Sequence, residues 1–278
     1  MIRVLTWNVW WRFGPWQARA DAIATTLATL DCHLIGLQEV WADHQHNLAA
    51  QLADHLGMHY TWTPSDRPHH WHRRLPGTTA DVGNAILSTW PIIDRATLRL
   101  PTTGGRDDGR QALHALVDAP TGPIAFFTTH LNSAPHESAV RRAQVAALAR
   151  FVADHRHPTT FPAILTGDYN ALPDSDEMRL LGGYRTAPAV PGQTLLDAWE
   201  YARPDTPAAT WDPANPYAAR THEPPARIDY IHLTPPGPGG IGHVRSVRRA
   251  GDHPVNGVWP SDHAAVLADL ATEPDPPS

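Results

Sequence analysis

The sequence has no lysine and only one cysteine, and both shortages exclude whole classes of chemistry. All 22 basic residues are arginine, so a phosphate-binding P-loop lysine, a Schiff-base lysine and a lysine general base are excluded. Cys32 alone can form neither an intrachain disulfide nor a cysteine zinc cluster. A chain so poor in cysteine is typical of a reducing compartment, and we predict a cytoplasmic location.

Long apolar runs and a strong excess of positive charge are also missing. No stretch approaches the roughly 18 consecutive apolar residues of a membrane span, so we expect no membrane insertion. The opening MIRVLTWNVWW lacks the basic, apolar and small-residue order of a signal peptide, so none is expected. A formal net charge of -6 is unfavourable for broad capture of duplex DNA.

Strand and helix patterns alternate along one predicted domain, residues 1–271, which is followed by a predicted disordered tail, 272–278. Several strands follow one another directly, so the pattern predicts mixed sheets with helices packed outside. Helical spacing covers Trp16–Leu30, 47–56, Glu137–His155 and a short segment from about residue 176. Strand patterns cover 2–9, 34–40, 59–63, 85–88, 113–117, 124–129, the region of Ile164, 228–233 and 264–270.

The segment LTGDYNALPDSDE, residues 165–177, puts Asp168 and Asn170 at the end of a predicted buried strand. Residues two apart in a strand point to the same side, so both side chains face one space and Tyr169 turns away. A carboxylate beside an amide suits orienting a water molecule and hydrogen-bonding an oxyanion. Ordinary turn chemistry explains the same two residues equally well.

Five other predicted strands also carry polar side chains near an end. Because ligand sites in α/β proteins gather at strand ends, we expect these side chains to meet. They are Asn8, Glu39, His130 with Asn132, Asp229, and Asp262 with His263.

Seven motifs occur in a fixed order from residue 6 to about residue 266: TWNV, LQEV, GNAILS, TTHLN, TGDYNALPDSDE, ARIDYI and PSDHAAV. Together they resemble the endonuclease/exonuclease/phosphatase superfamily of metal-dependent phosphoesterases. The resemblance implies an α/β fold, a four-layer α/β/β/α sandwich with two mixed β-sheets face to face and helices outside. It also implies a site at one end of the sheets, with Mg²⁺ or Mn²⁺ as the cofactor.

The resemblance assigns roles to the matched acids and amides. Glu39 resembles the principal metal ligand, assisted by Asn8 directly or through hydrogen bonds, with Asp262 touching the same metal or a second one. Carboxylate and amide oxygens suit Mg²⁺ or Mn²⁺. Asp168 resembles the residue that orients and deprotonates the attacking water, and Asn170 resembles its partner.

The matched histidines have roles at the phosphate. His263 resembles an imidazole that contacts the phosphate, held by Asp229 in a pair that favours the imidazolium. His130 resembles a second histidine that binds phosphate or protonates the leaving group. We predict further substrate contacts from Asn132, Arg110, Trp10 and Trp211. For Arg110 and Arg227 a structural salt bridge is the alternative. For Trp10, Trp11 and Trp211 the alternatives are a pocket wall that stacks on a flat group and a cover for the core.

One position departs from the abasic-site endonuclease branch of the superfamily. That branch has an acid two residues after the first-strand asparagine, where this chain has Trp10. The segment GDYNALPDSDE is more similar to the polyadenylate-nuclease-like and nocturnin-like branch and to bacterial hydrolases of the superfamily. Duplex DNA repair is therefore disfavoured.

Other short motifs in the sequence do not meet the structural requirements of the functions they suggest. GPGGIG, residues 237–242, matches G-x-G-x-x-G but does not open a helix, as dinucleotide binding requires. The histidine-rich HHWHRR, residues 69–74, predicts a solvated loop, with a lid that carries Arg73 and Arg74 to the phosphate as the alternative. No G-x-S-x-G elbow is present.

The sequence therefore predicts a monomeric, divalent-metal-dependent phosphodiesterase or phosphatase that uses direct attack by water. A small or single-stranded phosphate-ester substrate is favoured. The alternatives are an endonuclease or exonuclease acting on DNA or RNA, and a non-catalytic binding domain with the same fold.

Overall fold

The computed structural model describes residues 1–102, 107–156 and 161–274, and these residues form two six-stranded β-sheets with α-helices outside. The elements, in chain order, are β1 (Ile2–Asn8), α1 (Trp16–Leu30), β2 (Leu34–Ala42), α2 (Leu48–Leu56), β3 (His59–Pro64), α3 (Pro68–His72), β4 (Asp81–Ser88), β5 (Ile92–Arg99), β6 (Gln111–Ala119), β7 (Gly122–His130), α4 (Ser138–His155), β8 (Ile164–Asp168), α5 (Asp176–Gly182), β9 (Leu196–Asp197), β10 (Asp229–Leu233), β11 (Val244–Ala250) and β12 (Ala265–Leu270).

The two sheets are mixed, as predicted. The first has the order β11-β12-β1-β2-β4-β3, and the second has the order β5-β6-β7-β8-β10-β9. β1 and β2 are parallel, as are β7 and β8, whereas the other neighbouring pairs are antiparallel. Together with the outer helices this is the four-layer α/β/β/α sandwich, so the predicted fold class is confirmed.

Helices cover the outer face of each sheet. α2 begins where the side chain of Asn47 accepts hydrogen bonds from two backbone amides, and it ends at Gly57, whose φ is 66°. α4 buries Val145, Leu148 and Val152 against the second sheet, at the spacing of one helical face. None of the described helices combines the length and apolarity that crossing a membrane requires.

The inner faces of the sheets meet in an apolar core with one polar layer. The apolar part includes Val4, Leu34, Phe126, Ile164 and Val266. Nearer the strand ends, Gln38 Nε2 donates a hydrogen bond to Thr128 Oγ1 across the gap, at 2.8 Å. The sheets approach so closely here that a Cβ on Gly36 would lie 2.1 Å from Thr166 Oγ1. Only glycine fits this position without a shift of the neighbouring threonines.

Strand register brings the polar strand ends together. Asn8 pairs with Gln38 across the parallel strands β1 and β2, which puts Glu39 next to Asn8. His130 pairs with Asp168 across β7 and β8, and Asp168 pairs in turn with Asp229 of β10. The two sheets thus end in polar side chains at the same end of the sandwich.

Several elements differ from the sequence prediction. The edge strand β5 was not expected, because its Ile-Ile-Asp-Arg start leaves both faces largely open and weakens the alternation. β11 was missed because a register shift between Val244 and Ser246 interrupts its two-residue period. HHWHRR is not a loop throughout, since α3 forms there and buries Trp71. The buried face of α1 includes Arg19 among apolar residues, a charged residue that was not predicted there.

The predicted tail lies partly outside the described residues, from 275 to 278. The part that is described contacts the domain: the hydroxyl oxygen of Thr272 accepts a hydrogen bond from the amino terminus of Met1, at 3.0 Å. Disorder from residue 272 onward stays a prediction.

Candidate active site

A cleft of about 510 Å³ opens at the end of the sandwich where the polar strand ends converge. It is lined by polar side chains from five separate segments of the chain, so the convergence expected from strand order is present. They are Asn8, Glu39, His130, Asp168, Asn170, Asp262 and His263.

The carboxylate of Asp168 is the centre of the hydrogen-bond network. Its Oδ2 accepts a hydrogen bond from Asn8 Nδ2 at 2.9 Å, and it lies 3.3 Å from His130 Nε2 and 3.8 Å from His263 Nε2. Its Oδ1 accepts from the backbone amide of Asn170, at 3.0 Å. Burial, and next the charge of Asp229, raise the pKa of Asp168 to about 7. A carboxylate with that pKa is suited to accept a proton near neutral pH.

His263 and Asp229 form a buried imidazole–carboxylate pair. His263 Nδ1 lies 2.9 Å from Asp229 Oδ2. Burial alone would lower the pKa of His263, but the carboxylates of Asp229 and Asp168 raise it well above 6.5. The imidazolium is thereby favoured, and its Nε2 points toward Asp168 and the cleft.

His130 has the opposite electrostatic environment. Burial, and next the neighbouring charge of Arg110, lower the pKa of His130 well below 6.5. Arg110 lies behind it, beside a cavity of about 20 Å³ that also borders Glu39. The Arg110 guanidinium is 3.4 Å from Asp108 Oδ2 and 3.3 Å from Ser133 Oγ, and its centre is 5.3 Å from the Trp71 ring. Arg110 is thus in a structural ion pair and acts on the cleft through its charge.

Glu39 and Asp262 present the carboxylate oxygens that suit a hard cation. Oε2 of Glu39 is buried and has no hydrogen-bond partner among the described residues. Burial raises the pKa of Asp262 to about 7, and the Glu39 carboxylate adds to that rise. Asn8 uses its Oδ1 for the Trp10 backbone amide, at 2.9 Å, and its Nδ2 for Asp168. An orphaned carboxylate oxygen beside a second crowded carboxylate fits Mg²⁺ or Mn²⁺, with Asn8 assisting through hydrogen bonds.

A second set of metal-ligating atoms lies next to the first. Among the described residues, Asp168, Asp229 and His263 form the one group of three such side chains whose ligand atoms all lie within 4.8 Å of one another. This group could hold a metal ion. Contacts among the side chains themselves also account for the short distances within this group, because the His263 ring lies between the carboxylates of Asp229 and Asp168.

Three residues that line the cleft, and the core residue Trp11 next to them, have left-handed backbone conformations although none is glycine. The φ angles are 55° at Glu39, 49° at Asn170, 56° at Trp10 and 34° at Trp11. Such conformations cost about 1–3 kcal/mol each and persist where surrounding contacts impose them. At Glu39 the strain coincides with a register shift between β2 and β4, which turns its side chain into the cleft.

The walls of the cleft are largely apolar. The ring of Trp10 packs on Tyr217, with centroids 4.5 Å apart. Trp211 meets His263 edge to face at 5.0 Å. The lining also includes Leu172, which is half exposed, together with Pro135, Pro224 and Ile228.

The other predicted substrate contacts lie elsewhere. Asn132 is buried, and its Oδ1 accepts a hydrogen bond from the Ala134 amide, so it shapes a turn instead of lining the cleft. Arg227 forms an ion pair with Asp197 at 2.8 Å, which is the structural alternative foreseen for it. Trp11 is buried in the core and donates from Nε1 to the Asp81 carbonyl, so it covers core and does not wall the pocket.

Sequence reasoning missed two residues at the cleft. Tyr217 supports Trp10, but it comes from an irregular proline-rich segment with no periodic signal. Arg19 lies beneath the Trp10 ring at 4.8 Å and is fully buried. Its signal was present, because Arg19 precedes Ile23 by four residues and so shares the buried face of α1. Arg74, considered only as part of a lid, does line the cleft.

Fold and cleft together define the class of protein, a four-layer α/β sandwich with an acidic and imidazole-rich site at one end of its paired sheets. The chain belongs to the Endonuclease/Exonuclease/phosphatase family, whose model matches residues 5–263. This confirms the family resemblance drawn from the seven motifs. No curated protein matches the sequence in a direct comparison.

Solved structures of the family share the fold. The human Nocturnin catalytic domain with bound sulfate anion is 20% identical, with a TM-score of 0.73, and the match covers 97% of this chain and 94% of that one. D. rerio TDP2 complexed with single strand DNA product is 18% identical, with a TM-score of 0.72 and coverage of 96% and 97%. A family protein from Beutenbergia cavernae is 24% identical, with a TM-score of 0.69 and coverage of 97% and 71%. At these identities the likeness establishes the fold.

Proposed function

We propose that the protein is a divalent-metal-dependent hydrolase of phosphate esters in which water attacks phosphorus directly. The observation that carries this proposal is the position of Asp168 Oδ2, which lies within 3.8 Å of three polar side chains in a cleft that also contains Glu39. A carboxylate so placed can take a proton from water while cationic and hydrogen-bonding groups face the phosphate.

The cation belongs at Glu39 in this proposal, with Asp262 beside it and Asn8 holding the arrangement through hydrogen bonds. When bound there, Mg²⁺ or Mn²⁺ would offset the charge of the phosphate oxygens. The unpartnered Glu39 Oε2 supports this position, because a buried carboxylate oxygen without a partner is costly unless a cation or water satisfies it.

The side chains of the chain itself perform the remaining tasks. Asp168 orients the attacking water and accepts its proton as the new oxygen–phosphorus bond forms. His263, charged and held by Asp229, donates to a phosphoryl oxygen and offsets the charge that grows as the ester bond breaks. His130 donates a hydrogen bond to the phosphate in its neutral form. Its lowered pKa disfavours the proton-donating role that was the other expectation for it.

The cleft walls favour a substrate with one phosphate and little other charge. Arg74 is the one arginine that lines the cleft among the described residues, and Glu223 lines it as well. A long polyanion needs several cations along its path, because each phosphate contact contributes to affinity through counterion release. Trp10, Trp211 and Leu172 instead offer apolar surface to the part of the substrate that carries no charge.

A nuclease acting on single strands is the second candidate. The D. rerio TDP2 structure that shares this fold holds a single strand DNA product, and the aromatic rings of Trp10 and Trp211 could stack on bases. A short stretch of single strand needs fewer cations than a duplex, so the walls are compatible with it.

Substrate panels separate these candidates. Purified protein with Mg²⁺ or Mn²⁺ is assayed on bis(4-nitrophenyl) phosphate, 4-nitrophenyl phosphate and single-stranded DNA and RNA oligonucleotides, each over a salt series. Small-ester turnover that depends little on salt supports the first candidate. Steep loss of oligonucleotide cleavage with salt, and little small-ester turnover, supports the nuclease.

The same panel tests whether the protein is an enzyme at all. Asp168→Asn removes the proposed base, and Asp174→Asn makes the same chemical change at an exposed position of the following turn. Turnover that survives Asp168→Asn as well as it survives Asp174→Asn contradicts the mechanism. Absence of any turnover, combined with retained phosphate-ester binding, would favour a binding domain.

A further inference from the structure

The side chain of Arg19 makes an unusual set of contacts for a buried cation. It is 1% exposed, and all five of its N–H donors go to backbone carbonyl oxygens. Among the described residues no carboxylate lies within salt-bridge distance of it. Burial lowers the pKa of Arg19 to about 10, which leaves it charged at neutral pH. A buried charge is costly unless it is fully satisfied, so these five bonds fix the carbonyls that receive them.

The five carbonyls belong to the two segments that carry Asn8 and Asp262. Nη1 donates to the carbonyls of Val9 and Pro260, both at 2.9 Å, and these residues lie one and two positions from Asn8 and Asp262. The hydroxyl of Ser261 donates to the Asn8 carbonyl at 2.6 Å, which joins the same two segments a second time.

Arg19 also restrains the strained turn that follows Asn8. Nη2 donates to the carbonyls of Trp10 and Trp11, both at 2.8 Å, and Nε donates to that of Phe13 at 3.1 Å. Trp10 and Trp11 are consecutive residues with positive φ, and neither is glycine. Two neighbouring left-handed residues other than glycine need such external hydrogen bonds to persist.

Two backbone hydrogen bonds connect that turn to the segment that carries Glu39. The backbone amide of Trp11 donates to the Glu39 carbonyl at 3.0 Å, and the amide of Val9 donates to the Gln38 carbonyl at 2.9 Å. Glu39 itself has a positive φ within the irregular part of β2. The orientation of its carboxylate therefore depends on a peptide that the Arg19-bound turn holds in place.

We propose that Arg19 is a positioning residue that holds Asn8, Glu39 and Asp262 in the geometry required to bind the divalent cation. It touches neither substrate nor metal, and it acts through the turn at residues 9–13 and through the Pro260 carbonyl. The metal-binding part of this inference rests on the proposed function.

Arg19→Lys isolates this role because it keeps the charge but has three donors for five carbonyls. A neutral replacement would be ambiguous, because the positive charge of Arg19 interacts with Glu39 and Asp262. Its removal would by itself strengthen the binding of a cation at those carboxylates. Arg141→Lys is the matched control. Arg141 is likewise buried on α4, and besides its ion pair with Glu177 it donates to the loop carbonyls of Asn132, Ala134 and Pro135, but that loop carries no proposed metal ligand.

Two measurements test the proposal. Mn²⁺ titration by calorimetry is expected to give a dissociation constant at least about tenfold higher for Arg19→Lys than for the parent, and an unchanged one for Arg141→Lys. Hydrogen exchange followed by NMR without metal is expected to be at least about tenfold faster at the Trp11 and Val9 amides in Arg19→Lys alone.

The two measurements also separate this inference from the proposed function. Equal Mn²⁺ affinity in the parent and Arg19→Lys, or unchanged exchange at both amides, would overturn the role of Arg19. A parent that binds no Mn²⁺ would refute the metal site itself, and the amide exchange would still decide whether Arg19 holds the turn. If Arg19→Lys does not fold, amide hydrogen exchange is measured in Arg19→Gln at lower temperature. The expected result is again exchange at least about tenfold faster at the Trp11 and Val9 amides.

Discussion

His232 makes the free energy of unfolding depend on pH, because its imidazole is buried in the folded protein and exposed in the unfolded chain. It lies on β10 against the rings of Tyr169 and Tyr230, each with its centroid 5.4 Å away, and its Nδ1 has no hydrogen-bond partner among the described residues. Burial lowers the pKa of His232 to about 4. In the unfolded chain a histidine has a pKa of about 6.5.

The sign of the effect follows from the lowered pKa. Between pH 6.5 and 4 the unfolded chain binds a proton that the folded protein refuses at His232. The stabilisation is therefore complete above pH 6.5 and is lost as the pH falls to 4. The slope is about 1.4 kcal/mol per pH unit, and about 3 kcal/mol is lost over the whole interval. His114, whose pKa burial also lowers to about 4, contributes in the same direction.

The variant His232→Phe removes this linkage and keeps an aromatic ring of similar size. Urea denaturation at intervals from pH 4.5 to 7.5 gives the free energy of unfolding, and we expect the slope for His232→Phe to be shallower than that of the parent by about 1.4 kcal/mol per pH unit. His253→Phe, at a position that is 86% exposed, should leave the slope unchanged. Parallel pH curves for His232→Phe and the parent would refute the reasoning.

Three further predictions concern the site and the sheet contact. Glu39→Gln should abolish the rise in melting temperature that saturating Mn²⁺ gives the parent, about 5 °C at 100 times the dissociation constant; a retained rise would place the metal elsewhere. Asp168→Asn should lower kcat about 10²–10⁴-fold with small esters, because it removes a positioned base, whereas an unchanged kcat would exclude that role. Gly36→Ala should lower the free energy of unfolding by about 1–3 kcal/mol, since its Cβ would meet Thr166 Oγ1 at 2.1 Å; a neutral effect in urea titrations would mean that the sheets separate freely there.

Much of the fold was predictable because burial enforces periodicity. The helix at Trp16–Leu30 was predicted with the observed bounds, since its apolar residues recur at helical spacing between a proline and a left-handed Asp31. Edge strands gave a weaker signal. β5 has no fully buried residue, so little in its sequence records which face is inside.

The strand-end rule predicted which side chains meet, but it could not predict how each is used. Asp168, His263 and Asp229 converge as expected from register and from the family motifs. Asn132 satisfies the same rule by sequence and yet its side chain accepts from a backbone amide, and Arg110, a predicted substrate contact, pairs with a carboxylate behind the cleft. A motif fixes the position of a residue on a strand, whereas its rotamer depends on neighbours that are distant in sequence.

Backbone strain is the part of the site that sequence patterns could not reveal. Glycine, and to a lesser degree asparagine, signals left-handed backbone in a sequence, so Asn170 carries such a signature whereas Glu39 adopts the conformation without one. Their conformations are imposed by tertiary hydrogen bonds, from Trp11 to the Glu39 carbonyl and from Asn170 to the Asp168 carboxylate and the Leu131 carbonyl. At both positions the left-handed backbone directs the side chain into the cleft. In a regular strand, successive side chains would instead point to opposite faces of the sheet. The cost is about 1–3 kcal/mol at each position. A substitution that loosens these turns should therefore also weaken metal binding. The Arg19 variants test this, because Mn²⁺ affinity and amide exchange in the turn are measured on the same proteins.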